Sequence, residues 1–389
     1  MKNKKELVKQ ADIVIIGGGI SGCSIAYNLA AEGQQNIVVI EKEYITSGAT
    51  GRCGAGIRQQ WGTKMNCMLA KKSVDFFEKA QEILEYDGDV EFKQEGYLVI
   101  ASDEEEAKTF AKNVKLQNSL DIPSRVLTKE EAKEIVPHLN TDVVHSATFC
   151  PTDGHLNPFT MTDAYYKAAK RLGVEFYTYT TVESIVMEDD IIQAVQTDRG
   201  TIKTSIVVNA AGGWAKDIGR MVDVDIPVYS ENHEILVTEP VETMQGPMVI
   251  SFSQNIYCQQ TPHGAFIMGR GDKDMPKGYD VGSSWKFLDE MSKTVTRLLP
   301  PIGELRVIRQ WGGLYNMSPD HQPIISGTKH RKGFYIACGF SGHGFMLAPM
   351  TGVLLSELIL GKTPSMPMEA LSLDRFDGKE IIEMETSVV

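Results

Sequence analysis

The sequence predicts an α/β chain that joins a parallel, Rossmann-type nucleotide-binding sheet to a second, β-rich α+β domain, each assembled from separate stretches. Three observations predict it. Residues 13–41 read as a strand (Ile13-Val-Ile-Ile), a glycine turn (Gly17-Gly-Gly-Ile-Ser-Gly22), a small-residue helix and a second strand (Ile37-Val-Val-Ile40) ending in Glu41. The unbroken apolar run Ile206, Val207 and Val208 reads as a strand buried on both faces, and it leads into a close backbone approach at Ala210-Ala211-Gly212. A third strand enters the glycine loop 339–344, and a helix carrying Leu354, Leu355, Leu358 and Ile359 leaves it. A chain of 389 residues exceeds one ordinary core and suggests about two domains. The pieces divide as 11–86, 146–219 and 319–375 for the nucleotide domain, with 87–145 and 220–318 for the other.

The first unit names a ligand class. Gly17 permits the tight turn, Gly19 lets backbone approach a pyrophosphate, and Gly22 lets the helix pack close to the strand. The pyrophosphate would sit on the free amides and positive dipole end of the helix starting near Ile20. Glu41, nineteen residues past Gly22, is placed to accept hydrogen bonds from an adenosine ribose.

Along the rest of the chain, 64–86 carries apolar residues at helical spacing and stops before Gly88. A strand is expected at 96–101, a charged helix at 103–118, and a short acidic helix at 128–135 that Thr128 and Glu131 open as a capping box. A helix over 159–172 leads into a strand at 174–179, and strand patterns dominate from 228 to 270. The C-terminal glycine loop presents another helix N-terminus to a ligand, where its dipole would stabilise developing negative charge.

A formal charge of −12 without a basic stripe argues against nucleic-acid binding. The lysine-rich leader 1–10 precedes only a short apolar strand, and no stretch approaches twenty apolar residues, so a cytoplasmic protein with at most peripheral membrane contact is expected. Six scattered cysteines without a C-x-x-C pair oppose an iron–sulfur or zinc site and fit reduced thiols.

Four motifs in order carry a resemblance: GGGISG with Glu41, the segment Ser47-Gly-Ala-Thr-Gly-Arg-Cys-Gly-Ala-Gly-Ile-Arg58, the run Val207-Val-Asn-Ala-Ala-Gly-Gly-Trp-Ala215, and Gly339-Phe-Ser-Gly-His-Gly-Phe345. Together they resemble the D-amino-acid oxidase-like flavoproteins, most of all the β subunits of heterotetrameric sarcosine oxidase and dye-linked L-proline dehydrogenase. The resemblance implies extended FAD on the first domain under a β-rich substrate domain. It implies oxidation of the C–N bond of a secondary or cyclic amino acid, with hydride passing to flavin N5, an imine as product and electrons handed to partner subunits. The alternative within the same relatives is a flavin-bearing subunit with another amine substrate, such as glycine oxidised to cyanide or an opine.

Carried onto this sequence, the FAD contacts fall on Gly17, Gly19, Ile20, Ser21, Gly22, Glu41, Lys42, Ser47, Thr50, Gly51, Arg52, Val182, Ala210, Gly212, Trp214, Gly313, Gly339, Gly342, His343, Gly344 and Phe345. Arg58 matches the arginine that holds the substrate carboxylate in monomeric sarcosine oxidases, whereas their second cation is replaced here by Met346. His343 could donate to flavin or substrate, or be a hydrogen-bonded structural histidine. His233 and Tyr257 fall on strands that place substrate-side groups in the resembled dehydrogenases, and strand alternation leaves open whether they face inward or to solvent. Gly313 stands where the monomeric enzymes tether FAD through cysteine, and Pro158 where the heterotetrameric ones tether FMN through histidine. FAD is therefore expected to be non-covalent, and any FMN non-covalent and shared with a partner subunit.

Overall fold

The computed structural model describes residues 6–272, 274–378 and 383–388, so the start of the lysine-rich leader, 1–5, lies outside the described residues. A six-stranded sheet runs in the order Ile324–Gly327, Phe334–Cys338, Ile206–Asn209, Ile13–Ile16, Ile37–Ile40, Glu175–Tyr177. All neighbours in it are parallel except the antiparallel edge pair Ile324–Gly327 with Phe334–Cys338. Parallel strands must be covered on both faces, which accounts for the unbroken apolar runs. Ile13, Ile15 and Val208 bury against the helices Ile20–Ala31 and Gly344–Ile359, through Ile25, Leu29, Leu347 and Leu354. Val14, Ile16 and Val207 bury on the other face against Ile185, Val195 and Ile202 of a three-stranded antiparallel sheet over 182–203.

An eight-stranded sheet has the order Val307–Met317, Tyr229–Pro240, Ala265–Arg270, Ile256–Gln260, Met248–Ser251, Tyr97–Ala101, Ser146–Cys150, Arg125–Thr128. Its side chains alternate with the strand period of two. Leu98, Ile100, Leu236, Val249, Cys258 and Met268 pack on one face against the helix Trp285–Leu298 through Phe287, Met291 and Val295. Tyr97, His233, Met248, Ile250, Tyr257 and Tyr315 stand on the other face and line a cavity. The pairings Met248 with Tyr97, Ile250 with Tyr257 and His233 with Gly313 set this register.

The expected helices and strands appear with small changes of boundary, and the capping box at Thr128 and Glu131 is formed. The helix expected over 64–86 is two, Lys64–Phe77 and Ala80–Ile83, broken where Lys79 leaves helical backbone at φ −119°, ψ 9°. Residue spacing hides that break, because Phe77, Ala80 and Leu84 keep helical spacing and all bury. Ser146–Cys150, counted by sequence with the nucleotide pieces, instead pairs with Tyr97–Ala101 in the eight-stranded sheet. The helix Trp285–Leu298 and the edge strand Val307–Met317 were not anticipated, although Phe287, Met291, Val295 and Leu298 have helical spacing. No helix among the described residues is long and apolar enough to cross a membrane.

Candidate functional site

One cavity of about 510 Å³ runs from the C-terminal ends of the parallel strands to the open face of the larger sheet. Ligands of open α/β sheets bind at these strand ends. Gly17, at φ +117°, turns the chain so tightly that a side chain there would strike the Ala210 carbonyl, 2.2 Å away, and one at Gly22 would lie 2.0 Å from the Gly17 carbonyl. At Gly19 a side chain would press on Thr50 Oγ1 alone, at 3.2 Å, and the residue lines the cavity. The helix Ile20–Ala31 has no cap from its own N-cap residue and no acid in its first turn, although Thr50 Oγ1 accepts from Ile20 N at 3.1 Å. The helix Gly344–Ile359, opening onto the same cavity, shares both features. Two helix N-termini free of acids at one long cavity fit a dinucleotide with a phosphate near one and a charge-accumulating ring near the other.

The adenosine end has matching groups. Glu41 Oε2 accepts from Gly18 N at 2.8 Å, while Oε1 accepts from Glu43 N at 2.8 Å and Ser47 Oγ at 3.2 Å. A carboxylate offers about four lone-pair directions, so one remains for a ribose hydroxyl. Lys42 Nζ lies 3.1 Å from the centre of the Trp214 ring, and burial lowers its pKa against the opposing pull of Glu43 and Glu41. Arg52 donates to the carbonyls of Gly312 at 3.2 Å and Ser47 at 3.3 Å, tying the loop before it to the edge strand.

At the far end Arg58 is 5% exposed. Its guanidinium donates to the carbonyls of Gln60 at 3.4 Å and Ser387 at 2.5 Å and stacks 3.8 Å from the centre of the Trp61 ring. Among the described residues its hydrogen bonds go to carbonyls and not to a carboxylate, and desolvation lowers its pKa, Tyr97, Glu385 and Asp153 opposing. A buried guanidinium keeps its charge, so a cation bonded only to carbonyls favours an anionic ligand. Beneath it the fully buried Asp153 accepts from Gln59 N at 2.8 Å and Gln60 Nε2 at 3.0 Å, and burial pushes its carboxyl up to about 6 against those bonds.

His343 is buried, has no partner on either ring nitrogen and lies 4.6 Å from the Trp61 ring. Desolvation pushes its pKa down, with the Glu385 charge and the Ser341 backbone opposing, so the imidazole is neutral. His233 stacks 3.6 Å from Tyr315, with Nε2 3.2 Å from Glu231 Oε1 and Nδ1 unpartnered. Burial raises the pKa of Tyr97, Tyr257 and Tyr315, keeping these phenols neutral.

Arg58, His233, Tyr257 and His343 thus all line one cavity, as do Gly17, Gly19, Ile20, Ser21, Glu41, Lys42, Ser47, Thr50, Arg52, Val182, Ala210, Gly212, Trp214, Gly313, Gly342, Gly344 and Phe345. Gly22, Gly51 and Gly339 lie behind its wall. Gly22 closes the helix on the turn, Gly51 would press a side chain on the Thr46 carbonyl, and Gly339 N donates to Asn316 Oδ1 at 2.7 Å. Met346 lines the cavity without a charge. Sequence reasoning missed Trp61, Tyr97, Tyr315 and the segment reaching Val388. The alternation of Tyr97 with Leu98 was a usable signal; nothing local marks Val388.

This arrangement is that of a flavoprotein amine oxidoreductase, and the comparisons agree. The chain belongs to the FAD-dependent oxidoreductase family, whose profile matches residues 12–358. It is 28% identical to the sarcosine oxidase β subunit of an Arthrobacter species over 381 residues, 96% of this chain and 93% of that one. Identity to the glycine oxidase of Geobacillus kaustophilus is also 28%, over 96% of this chain and 99% of that one. The crystal structure of L-proline dehydrogenase from P. horikoshii superposes with a TM-score of 0.91 at 41% identity, covering 95% of this chain and 99% of that chain. The protein is an FAD-dependent amino acid oxidoreductase of the sarcosine, proline and glycine oxidase type.

Proposed function

We propose that the chain oxidises the C–N bond of a secondary or cyclic amino acid, of the size of sarcosine or proline, and passes the electrons to partner subunits. The observation that carries this is Arg58, a buried cation on the cavity wall that meets only carbonyl oxygens. A guanidinium–carboxylate pair is worth roughly 1.5–3 kcal/mol and fixes the ligand in one orientation. Support for the substrate class comes from the relatives' names, sarcosine oxidase and L-proline dehydrogenase; support for partners comes from the β-subunit relatives.

In this reading the six-stranded sheet carries FAD and the eight-stranded sheet carries the substrate, dividing the chain near the pieces expected from sequence. FAD would be held non-covalently by the turn at Gly17 and Gly19, by Glu41 and by the loop 339–345, and when bound it supplies a two-electron acceptor for the hydride of a carbon bonded to the substrate nitrogen. Arg58 would grip the carboxylate. The wall of Met248, Ile250 and neutral tyrosines excludes water and favours the uncharged amine, whose nitrogen lone pair the reaction needs. His343, neutral, has one nitrogen that accepts and one that donates, and orients polar atoms beside Trp61. Any FMN would lie between this chain and a partner. A dye-linked assay on the isolated chain tests the proposal: oxidation of sarcosine or proline with artificial acceptor supports it, and turnover of only a non-amine substrate such as glycerol 3-phosphate overturns it.

A further inference from the structure

The segment Glu383 to Val388 closes the Arg58 end of the cavity from far away in sequence. The Glu385 carboxylate accepts from Gly62 N at 3.2 Å, Thr63 N at 3.1 Å, Thr63 Oγ1 at 2.9 Å and Asn66 Nδ2 at 3.2 Å. Those groups form the N-terminus of the helix Lys64–Phe77, which has no acid in its own first turn and no side-chain cap. Glu385 supplies the missing anion, where the free amides and the helix dipole favour it. The segment is held further along by Glu385 N to Asp320 O at 3.0 Å and by Gln322 Nε2 to the Glu383 carbonyl at 3.0 Å. Past this anchor the Ser387 carbonyl takes one edge of the Arg58 guanidinium, and Val388 stands in the cavity wall.

A guanidinium has five donors in a fixed plane. Here Trp61 fixes the plane and the carbonyls of Gln60 and Ser387 each accept from one terminal nitrogen, so a carboxylate bound by the remaining N–H groups would be a neighbour of Ser387. Val388 then borders the space that the rest of that ligand must fill.

We propose that Val388 is a specificity-determining residue, limiting the bulk that a carboxylate ligand of Arg58 can carry, and that Glu385 is the positioning residue that keeps Val388 and Arg58 in register. This rests on the carboxylate role of Arg58 proposed above.

The test is a set of equilibrium titrations of the FAD-loaded protein, followed by the shift of its flavin absorption band, with acetate, cyclopentanecarboxylate and cyclohexanecarboxylate. For Val388→Gly, acetate affinity is expected to stay within about twofold while cyclohexanecarboxylate gains at least about tenfold, since one or two methylenes in an apolar site are worth that much. Glu385→Ala is expected to lose the same size discrimination and also to weaken acetate several-fold, with Glu385→Gln recovering part of both. Unchanged ratios between the large and small acids in Val388→Gly and Glu385→Ala, with acetate still lost in Arg58→Ala, would overturn the proposal and leave the carboxylate role of Arg58 standing. Acetate binding that survives Arg58→Ala would overturn that role and the proposal with it. Should Glu385→Ala fail to fold, Val388→Gly and Val388→Ala carry the test alone, because Val388 packs only at the partly buried edge of the core.

Discussion

The proposed grip on a substrate carboxylate rests on one side chain, Arg58. Burying a guanidinium costs several kcal/mol unless acceptors replace its water. Two carbonyls and an aromatic face offset part of that, and a substrate carboxylate would offset the rest. Arg58→Ala is therefore expected to raise the apparent substrate constant at least about tenfold, a loss of about 1.4 kcal/mol, with FAD still bound. Steady-state kinetics beside the flavin absorbance of the same sample check it, and unchanged kinetics would remove the residue from that role. Asp153 behind it makes a separate prediction. Its folded pKa of about 6 lies above the ordinary 3.8, so the fold favours the protonated form. Its contribution is fully present below pH 4 and is lost as pH rises through 6. Between pH 4 and 7 the protein should lose on the order of 3 kcal/mol that Asp153→Asn does not lose, a contrast readable in urea unfolding curves at both pH values. Equal pH slopes for the two proteins would contradict the burial argument.

Helix ends and sheet alternation decide what the sequence could reveal. Gly17, Gly22 and the strand–helix–strand around them were legible because each role is local: a positive φ, a carbonyl 2.0 Å from a missing side chain, a strand buried on both faces. The two glycines nearest the phosphate end separate fold from binding. Gly19→Ala meets only Thr50 Oγ1, so the variant is expected to keep its melting temperature in the flavin-free form yet retain little FAD, whereas Gly22→Ala strains the turn itself and should lower both. Flavin content and melting curves of the two variants distinguish these outcomes. His233 and Tyr257 were ambiguous in sequence because either face of a strand can be the wet one, and only pairing with Gly313 and Ile250 settles the register. Tyr315 was missed because the strand Val307–Met317 is exposed along its first residues, which hides its apolar alternation. The Glu385 anchor was beyond reach for a different reason: it joins Thr63 across 322 residues, and no local pattern records such a contact.

At the scale of the whole molecule, the cavity is built by the parallel strand ends on one side and the open face of the eight-stranded sheet on the other, so a cofactor and the proposed substrate would share one space. Glycine at 313 and proline at 158 offer no tether, so denatured protein passed through a filter is expected to release all of its flavin; colour retained on the chain would show a covalent link at another residue. The central claim is that this space oxidises an amino acid held by its carboxylate. Its most direct test is an anaerobic absorbance titration of the FAD-loaded chain with sarcosine, L-proline, D-proline, hydroxyproline, glycine and glycerol 3-phosphate. The account predicts that sarcosine or a proline bleaches the flavin band and that Arg58→Ala needs at least about tenfold more of it. Bleaching by glycerol 3-phosphate alone, or by an amino acid at the same concentration with and without Arg58, would contradict it.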